Sequence, residues 1–307
     1  MEKTVYDVLI VGGGPGGYSA ALYSARAGLS TLVVEMLSAG GQMATTSIID
    51  NYPGFADGVD GFELGEKMQK GAERFGAKTA YAEVTALELS TNPKRVVTTG
   101  GTYEAKTVIL ATGANPRLLG LPREEALRGK GVAYCATCDG MYYKGKTVAV
   151  AGGGNSAAED ALHLAKLCPK VYLIHRRDAL RATALYVRQL EQTPNVEFIW
   201  DTQIDALLGE DRLTGLALTD KKTGEQRALA VDGLFVAIGR VPNTALAKGQ
   251  VELDAAGYLI ADETTRTSVP GVFAVGDART KALRQVVTAA ADGAVAAHFA
   301  QEYLAGA

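Results

Sequence analysis

Hydrophobic residues in this chain gather in short runs that end in glycine, and the runs repeat. Val5-Tyr6-Asp7-Val8-Leu9-Ile10-Val11 is rich in β-formers and leads into Gly12-Gly13-Gly14-Pro15-Gly16-Gly17. Residues 18–27 then read as a helix that stops at Gly28, and residues 31–34 as a second strand closed by Glu35. The same order returns later. Residues 146–151 form a strand, 152–157 a glycine-rich loop, 158–167 a helix and 170–174 another strand. Two further runs, Val108-Ile109-Leu110-Ala111-Thr112 and Leu234-Phe235-Val236-Ala237-Ile238, end at Gly113 and Gly239. Apolar residues without alternation mark strands covered on both faces, as in parallel sheets. Residues 272–277 repeat the strand-to-glycine pattern, and residues 284–303 read as a long, alanine-rich helix.

The loops carry the first chemistry. Gly12, Gly14 and Gly17 give the spacing G-x-G-x-x-G between a strand and a helix. Such glycines permit a tight turn, close approach of backbone to a pyrophosphate, and close helix–strand packing. The helix start then offers unpaired N–H groups to the phosphates. Glu35, 23 residues after Gly12, sits where a carboxylate accepts ribose hydroxyls. In the second copy Gly152 and Gly154 keep the pattern, Ala157 takes the third place, and the position of the acid is held by His175, followed by Arg176 and Arg177. Arg181 lies close enough in sequence to join them. Guanidinium groups match a phosphate bidentately where a carboxylate would repel it. The second site therefore reads as one for a 2′-phosphate, favouring NADPH over NADH; the alternative is a solvated basic face.

Cys135-Ala136-Thr137-Cys138 lies between the two loops. A C-x-x-C pair can close and reopen as a disulfide, storing two electrons. Asp139 follows the second sulfur, either as an acid or as a turn residue before Gly140. Zinc would need four ligands; only Cys168, His163, His175 and His298 could complete the set, and none has ligand spacing, so no metal is expected. Cys168, ahead of Pro169, reads as an inert thiol, and His163 and His298 as packing or surface residues. Met36 and Met43 suit either core or a nucleotide pocket. Arg128 and Lys130 form either a docking patch for an acidic partner or a solvated loop.

At 307 residues the chain suggests about two domains. A net charge of −3 gives no footprint for nucleic acid or an anionic membrane. No apolar run approaches the ~20 residues of a membrane span, and the short run before Gly12 is a strand rather than a leader. With three cysteines, a disulfide framework is not expected and a reducing cytoplasm is.

The two glycine loops, Glu35, Gly40-Gly41-Gln42, Asn51-Tyr52-Pro53-Gly54, Ala111-Thr112-Gly113, Cys135-Ala136-Thr137-Cys138-Asp139-Gly140, His175-Arg176-Arg177-Asp178, Arg181-Ala182 and Gly276-Asp277 together closely resemble low-molecular-weight thioredoxin reductases of the bacterial type. The resemblance runs from residue 5 to about 304. It implies an α/β fold of two Rossmann-like nucleotide-binding domains, the NADPH domain inserted into the FAD domain. The expected limits are 1–115 and 245–307 for FAD and 116–244 for NADPH, with Ala114-Asn115-Pro116 and Arg240-Val241-Pro242-Asn243 as paired crossovers. It assigns FAD contacts to Gly12, Gly14, Pro15, Gly16, Glu35, Gly41, Gln42, Asn51, Ala111, Thr112, Gly113, Asp277, Arg284, Gln285 and Val286. NADPH contacts fall to Gly154, Asn155, Ser156, His175, Arg176, Arg177, Arg181, Ile238 and Gly239. Electrons would pass from NADPH to FAD to the Cys135–Cys138 disulfide, and then to thioredoxin. Cys138 would face the flavin, Cys135 would attack the partner, and Asp139 would be the acid. The paired crossovers suggest that the inserted domain rotates between these tasks. A homodimer is expected by the same resemblance. A different C-x-x-C partner, glutaredoxin-like or of a peroxiredoxin system, is the alternative.

Overall fold

The structure, a computed structural model, describes residues 4–46 and 48–306. Residues 1–3 and 307, which the expected domain limits include, lie outside the described residues. The chain divides into two compact units, Met1–Asn115 with Val241–Ala307, and Pro116–Arg240. The return crossover thus falls at Arg240–Val241, a few residues before the expected limit of 244.

The first unit begins β1 (Val5–Val11), α1 (Pro15–Arg26), β2 (Thr31–Glu35), α2 (Gly61–Glu73) and β3 (Lys78–Tyr81). It continues with β4 (Val84–Glu88), β5 (Lys94–Thr98), β6 (Gly101–Leu110) and the short β7 (Ala114–Pro116), which leads out of it. Its sheet has the order β3-β2-β1-β6-β5-β4. Strands β1, β2, β3 and β6 run parallel, while β5 and β4 turn back antiparallel. Alternate residues of β1 serve different layers, as a strand with period two requires. Leu9 and Val11 join one buried cluster with Leu32, Val34 and Val108, and Val8 and Ile10 join another with Val33 and Ile109. With both faces covered, the run has no polar alternation.

The second unit contains β8 (Val132–Ala133), α3 (Ala136–Asp139), β9 (Thr147–Gly152), α4 (Asn155–Ala165), β10 (Lys170–Ile174), α5 (Ala184–Glu191) and β11 (Val196–Ile199). It closes with β12 (Thr202–Leu208), β13 (Gly215–Asp220), β14 (Gln226–Ala230), β15 (Gly233–Ala237) and β16 (Arg240–Pro242), the last leading back to the first unit. A parallel sheet of order β11-β10-β9-β15-β8 repeats the β1–β2 arrangement around β9 and β10, and β12, β13 and β14 form an antiparallel sheet beside it. Val148 and Val150 face α4, whose Ala157, Ala158, Ala161 and Leu164 complete one buried cluster.

The first unit ends with β17 (Val272–Ala274) and α6 (Val286–Ala305). β17 pairs with the last residues of β6, beyond the stretch that β5 uses. Helix α6 packs closely on α1. A Cβ on Gly293 would stand 2.2 Å from the Gly16 carbonyl oxygen, and Ser19 Oγ donates to the Ala290 carbonyl at 2.6 Å. Both glycine-loop helices start earlier than their composition suggests, α1 at Pro15 and α4 at Asn155. Proline is well placed in a first turn, where its missing N–H would have had no helical partner.

Candidate active site

The first glycine loop is a backbone cradle. Gly12 has φ +105°, and a Cβ there would meet the Ala111 carbonyl oxygen at 2.4 Å. A Cβ on Gly17 would lie 2.0 Å from the Gly12 oxygen, whereas Gly14 has open space around it. The turn thus needs two glycines for its own closure and leaves the third bare for a ligand. A second glycine pair closes the other side: Gly40 N–H donates to the Gly13 carbonyl at 2.8 Å, and the Gly41 Cβ position comes within 3.5 Å of Gly14 Cα. Glu35, at the end of β2, accepts from Gly13 N–H at 2.6 Å through one oxygen, and from Met36 and Leu37 N–H through the other. A carboxylate has about four lone-pair directions, so capacity remains for ribose hydroxyls.

Ala111, Thr112 and Gly113 follow β6 beside this cradle. Thr112 Oγ1 is buried without a hydrogen-bond partner, a polar atom of the kind a ligand satisfies. Gln42 donates to the Ala114 carbonyl. Asn51 donates to Gln285 Oε1 at 3.0 Å, joining its loop to the start of α6. Gln285 and Thr288 form a capping box there. Asp277 lies in a short turn after β17, and Arg284 stacks its guanidinium over Tyr258 at 4.1 Å. Val286 packs beside Met43, which is buried, while Met36 is exposed. Of the two methionines, then, Met43 belongs to core.

A buried ion network that the motifs do not contain supports this end of the unit. Asp292 of α6 accepts from Arg279 Nε and Nη2 at 3.0 and 2.8 Å, from Lys281 Nζ at 2.7 Å and from Gly276 N–H at 2.9 Å. It ties the Gly276–Asp277 turn to the helix. Only the tertiary fold brings these residues together.

In the second unit Gly152 and Gly154 repeat the cradle. A Cβ on Gly152 would stand 2.4 Å from the Ala237 oxygen, and Gly154 is bare. Gly154 leads into α4, so Asn155 and Ser156 form its exposed first turn. Asn155 Oδ1 accepts from Thr183 N–H at 2.9 Å, and Arg181 N–H donates to the Gly153 carbonyl at 2.6 Å. The arginine loop is therefore fastened to the phosphate loop. Arg176, Arg177 and Arg181 are exposed at its rim. His175 is placed differently. It is only 6% exposed, and its ring fills the space above Gly153, where a Cβ would come within 2.2 Å of it. Burial and the neighbouring arginines lower its pKa. Its ring thus lies under the loop with Nε2 buried and without a hydrogen-bond partner, and the arginines form the charged rim. Ile238 is partly buried against the core, and Gly239 has φ +108° at the edge of the same cradle.

The dithiol occupies the short helix α3. Cys135 is its N-cap, and a disulfide joins Cys135 to Cys138 with the Cα atoms 5.3 Å apart. Asp139 N–H donates to the Cys135 carbonyl at 3.0 Å, and Thr137 Oγ1 lies 3.3 Å from Cys135 Sγ. Burial pushes the Asp139 carboxyl up to about 6, against the opposing charge of Arg128. An acid of this kind holds a proton near neutrality. Arg128 also stacks on Tyr134 at 5.3 Å, while Lys130 is exposed. Cys168 is buried, donates to the Tyr143 carbonyl, and has its thiol pushed up to about 11; it is not part of the redox pair. Among the described residues, no three His, Cys, Asp or Glu side chains gather as a metal site, and no helix is long and apolar enough to cross a membrane.

Paired dinucleotide cradles with a disulfide in one of the two units define a class. The family model described as pyridine nucleotide-disulphide oxidoreductase matches residues 6–293, and the chain belongs to that family. Its similarities run further, to proteins named thioredoxin reductase. That of Treponema pallidum (strain Nichols) is 46% identical over 98% of both chains. The bifunctional thioredoxin reductase/thioredoxin of Mycobacterium leprae is 44% identical over 99% of this chain and 67% of its own. The crystal structure of thioredoxin reductase from Streptococcus pyogenes MGAS5005 superposes with a TM-score of 0.92 at 41% identity, covering both chains completely.

Proposed function

We propose that this chain is a thioredoxin-disulfide reductase using NADPH and FAD. The observation that carries the reading is a closed Cys135–Cys138 disulfide in the unit that also holds the arginine-rimmed cradle. The unit Met1–Asn115 with Val241–Ala307 is the FAD-binding domain, and Pro116–Arg240 the NADPH-binding domain. Bound FAD supplies the chemistry that the side chains lack, accepting a hydride from NADPH and returning two electrons to a disulfide.

The residues contribute as follows. Gly14 would give the pyrophosphate of FAD a bare backbone, Gly12, Pro15 and Gly16 would shape the turn and helix start that meet it, and Glu35 would accept from its ribose. Gly41, Gln42, Asn51, Ala111, Thr112, Gly113 and Asp277 would hold the rest of the flavin. Arg284, Gln285 and Val286 stand at the start of α6, whose dipole would favour negative charge on a ring held there. Gly154, Asn155 and Ser156 receive the NADPH pyrophosphate. Arg176, Arg177 and Arg181 hold the 2′-phosphate, with His175 shaping the loop beneath. Ile238 and Gly239 form the cradle's far edge. Once the disulfide is reduced, the Cys135 thiolate attacks the partner disulfide, Cys138 resolves the mixed disulfide, and Asp139 gives a proton to the leaving sulfur. The Mycobacterium leprae relative, which unites both names in one chain, supports thioredoxin as the partner. The protein works in the cytoplasm as a homodimer.

The arginine rim gives a direct test. The purified flavoprotein should be bleached by NADPH far faster than by NADH. Each charge-assisted bond to a phosphate is worth about 1.5–3 kcal/mol, so Arg176→Ser with Arg177→Ser should narrow that preference by about tenfold or more. An unchanged preference would remove the arginines from the 2′-phosphate site.

A further inference from the structure

The strand that leads into the dithiol is short. β8 has two residues, Val132 and Ala133, at the edge of its sheet, and Tyr134 and Cys135 follow it. A second hold lies outside the sheet. Glu124 is only 2% exposed, and its carboxylate gathers four donors. Oε1 accepts from Tyr134 Oη and from Leu119 N–H, both at 2.9 Å, and Oε2 accepts from the N–H groups of Gly120 and Leu121 at 2.8 and 3.3 Å. Neither Glu124 nor Tyr134 belongs to the motifs that carry the family resemblance.

We propose that Glu124 and Tyr134 are positioning residues of the redox pair: the buried carboxylate holds the residue before Cys135 and so keeps the two thiols at the separation from which they close. The chain is built for this hold. Leu121 to Glu124 form a turn, closed by the Glu124 N–H on the Leu121 carbonyl at 3.2 Å. Pro122 stands second in it, where its fixed φ fits, and Arg123 third, with φ +68°. A residue with a Cβ is strained there by about 1–2 kcal/mol. The Arg123 guanidinium donates to the Gly209 carbonyl at 2.6 Å and to the Glu210 carbonyl, in the loop after β12, and this clamp keeps the strained residue in place. The turn sends the Glu124 side chain back over residues 119–121. Four donors fill the roughly four lone-pair directions of a carboxylate, so Glu124 is a support and not a binding group.

Tyr134 is held at its hydroxyl and at its ring, whose face Arg128 covers at 5.3 Å. A hydrogen bond to a charged group contributes about 1.5–3 kcal/mol. While the disulfide is closed, the Cys135–Cys138 link itself restrains the turn, with the Cα atoms 5.3 Å apart. Once it opens, only the backbone on either side does so, and the Tyr134–Glu124 bond secures the entry side. Fixing the backbone of one residue costs about 1–2 kcal/mol of entropy. A hold that removes part of that freedom beforehand raises the effective concentration of one thiol at the other. Closure then needs less reordering, and Cys135 meets a partner from a defined position.

The role rests on the dithiol being the redox pair. FAD-loaded protein is equilibrated without oxygen in mixtures of reduced and oxidised glutathione and quenched with acid, and the free thiols of Cys135 and Cys138 are counted by alkylation and mass spectrometry. Closure passes two electrons and two protons from the two thiols to one oxidised glutathione, which leaves as two reduced ones. Tyr134→Phe keeps the ring under Arg128 and loses the bond to Glu124. Its half-oxidised point should move about threefold or more toward oxidised glutathione, and amide exchange at residues 133–136 should quicken by a similar factor. Glu124→Gln should shift the point in the same direction, and Tyr134→Phe should add little to it, because both changes break one bond. An unchanged half-oxidised point in Tyr134→Phe would overturn the proposal. A lower melting temperature without that shift would overturn it too, since the bond would then support the fold alone. Neither NADPH nor thioredoxin enters the measurement, so its failure stays separate from a failure of the proposed function.

Discussion

Replacing Asp139 by Asn should make the protein more stable and less active, and the stability gain should depend on pH. The carboxyl has an ordinary value of 3.8 and is pushed up to about 6 by burial. At about 1.4 kcal/mol per pH unit, keeping it charged in the folded state costs up to about 3 kcal/mol above pH 6. The sign follows from the proton count. Below the unfolded value both states hold the proton and no penalty exists. Between about 4 and 6 the folded state holds more protons, so wild-type stability falls as pH rises. Above 6 the full penalty is present. The amide has no charge to desolvate, so its advantage should be near zero at pH 4, grow through pH 5–6 and level off at several degrees in melting temperature by pH 8. Reduction of a disulfide substrate should fall over the same range, since the amide cannot supply the proton. Melting curves of the FAD-loaded proteins at pH 4, 5.5 and 8 measure this directly. A melting difference that does not change with pH would refute the reasoning, because it would mean that Asp139 is not a desolvated acid.

Other outcomes follow from the packing. Gly17→Ala forces a Cβ to within 2.0 Å of the Gly12 oxygen, so α1 must move off its loop; overpacking of this kind costs about 1–3 kcal/mol, and FAD retention on a desalting column should drop. Asp292→Ala leaves Arg279 and Lys281 buried without their counter-charge, at a cost of about 3–5 kcal/mol. Thermal unfolding should show that loss with FAD release, while Asp292→Asn should retain part of the stability.

The glycine cradles were legible in the sequence because their cause is local: Gly12 and Gly17 close a turn that admits no Cβ, and strand and helix flank them in order. The dithiol was legible for the same reason. Spacing along the chain does not fix the direction of a side chain. His175 occupies the position of an acid that meets ribose, yet its ring turns inward over Gly153, and nothing in a linear count distinguishes rim from underside. Starts of helices were placed late because glycine and proline argue against helix in the interior, whereas Pro15 sits in the first turn. The buried carboxylate of Asp292 had no sequence signal, because it meets Arg279 only when α6 folds back on the turn after β17. The antiparallel β12–β14 sheet has no such signal, because its strands mix polar and apolar positions and end in no glycine motif.

The central claim is that electrons from NADPH leave through the Cys135–Cys138 pair to a thioredoxin disulfide. The most direct measurement is NADPH-dependent reduction of thioredoxin by the FAD-loaded protein, set beside its Cys138→Ser variant. Thioredoxin reduction by the parent and its loss in the variant, with FAD still bound and still bleached by NADPH, is the predicted result. Thioredoxin reduction that survives in the variant would contradict the account.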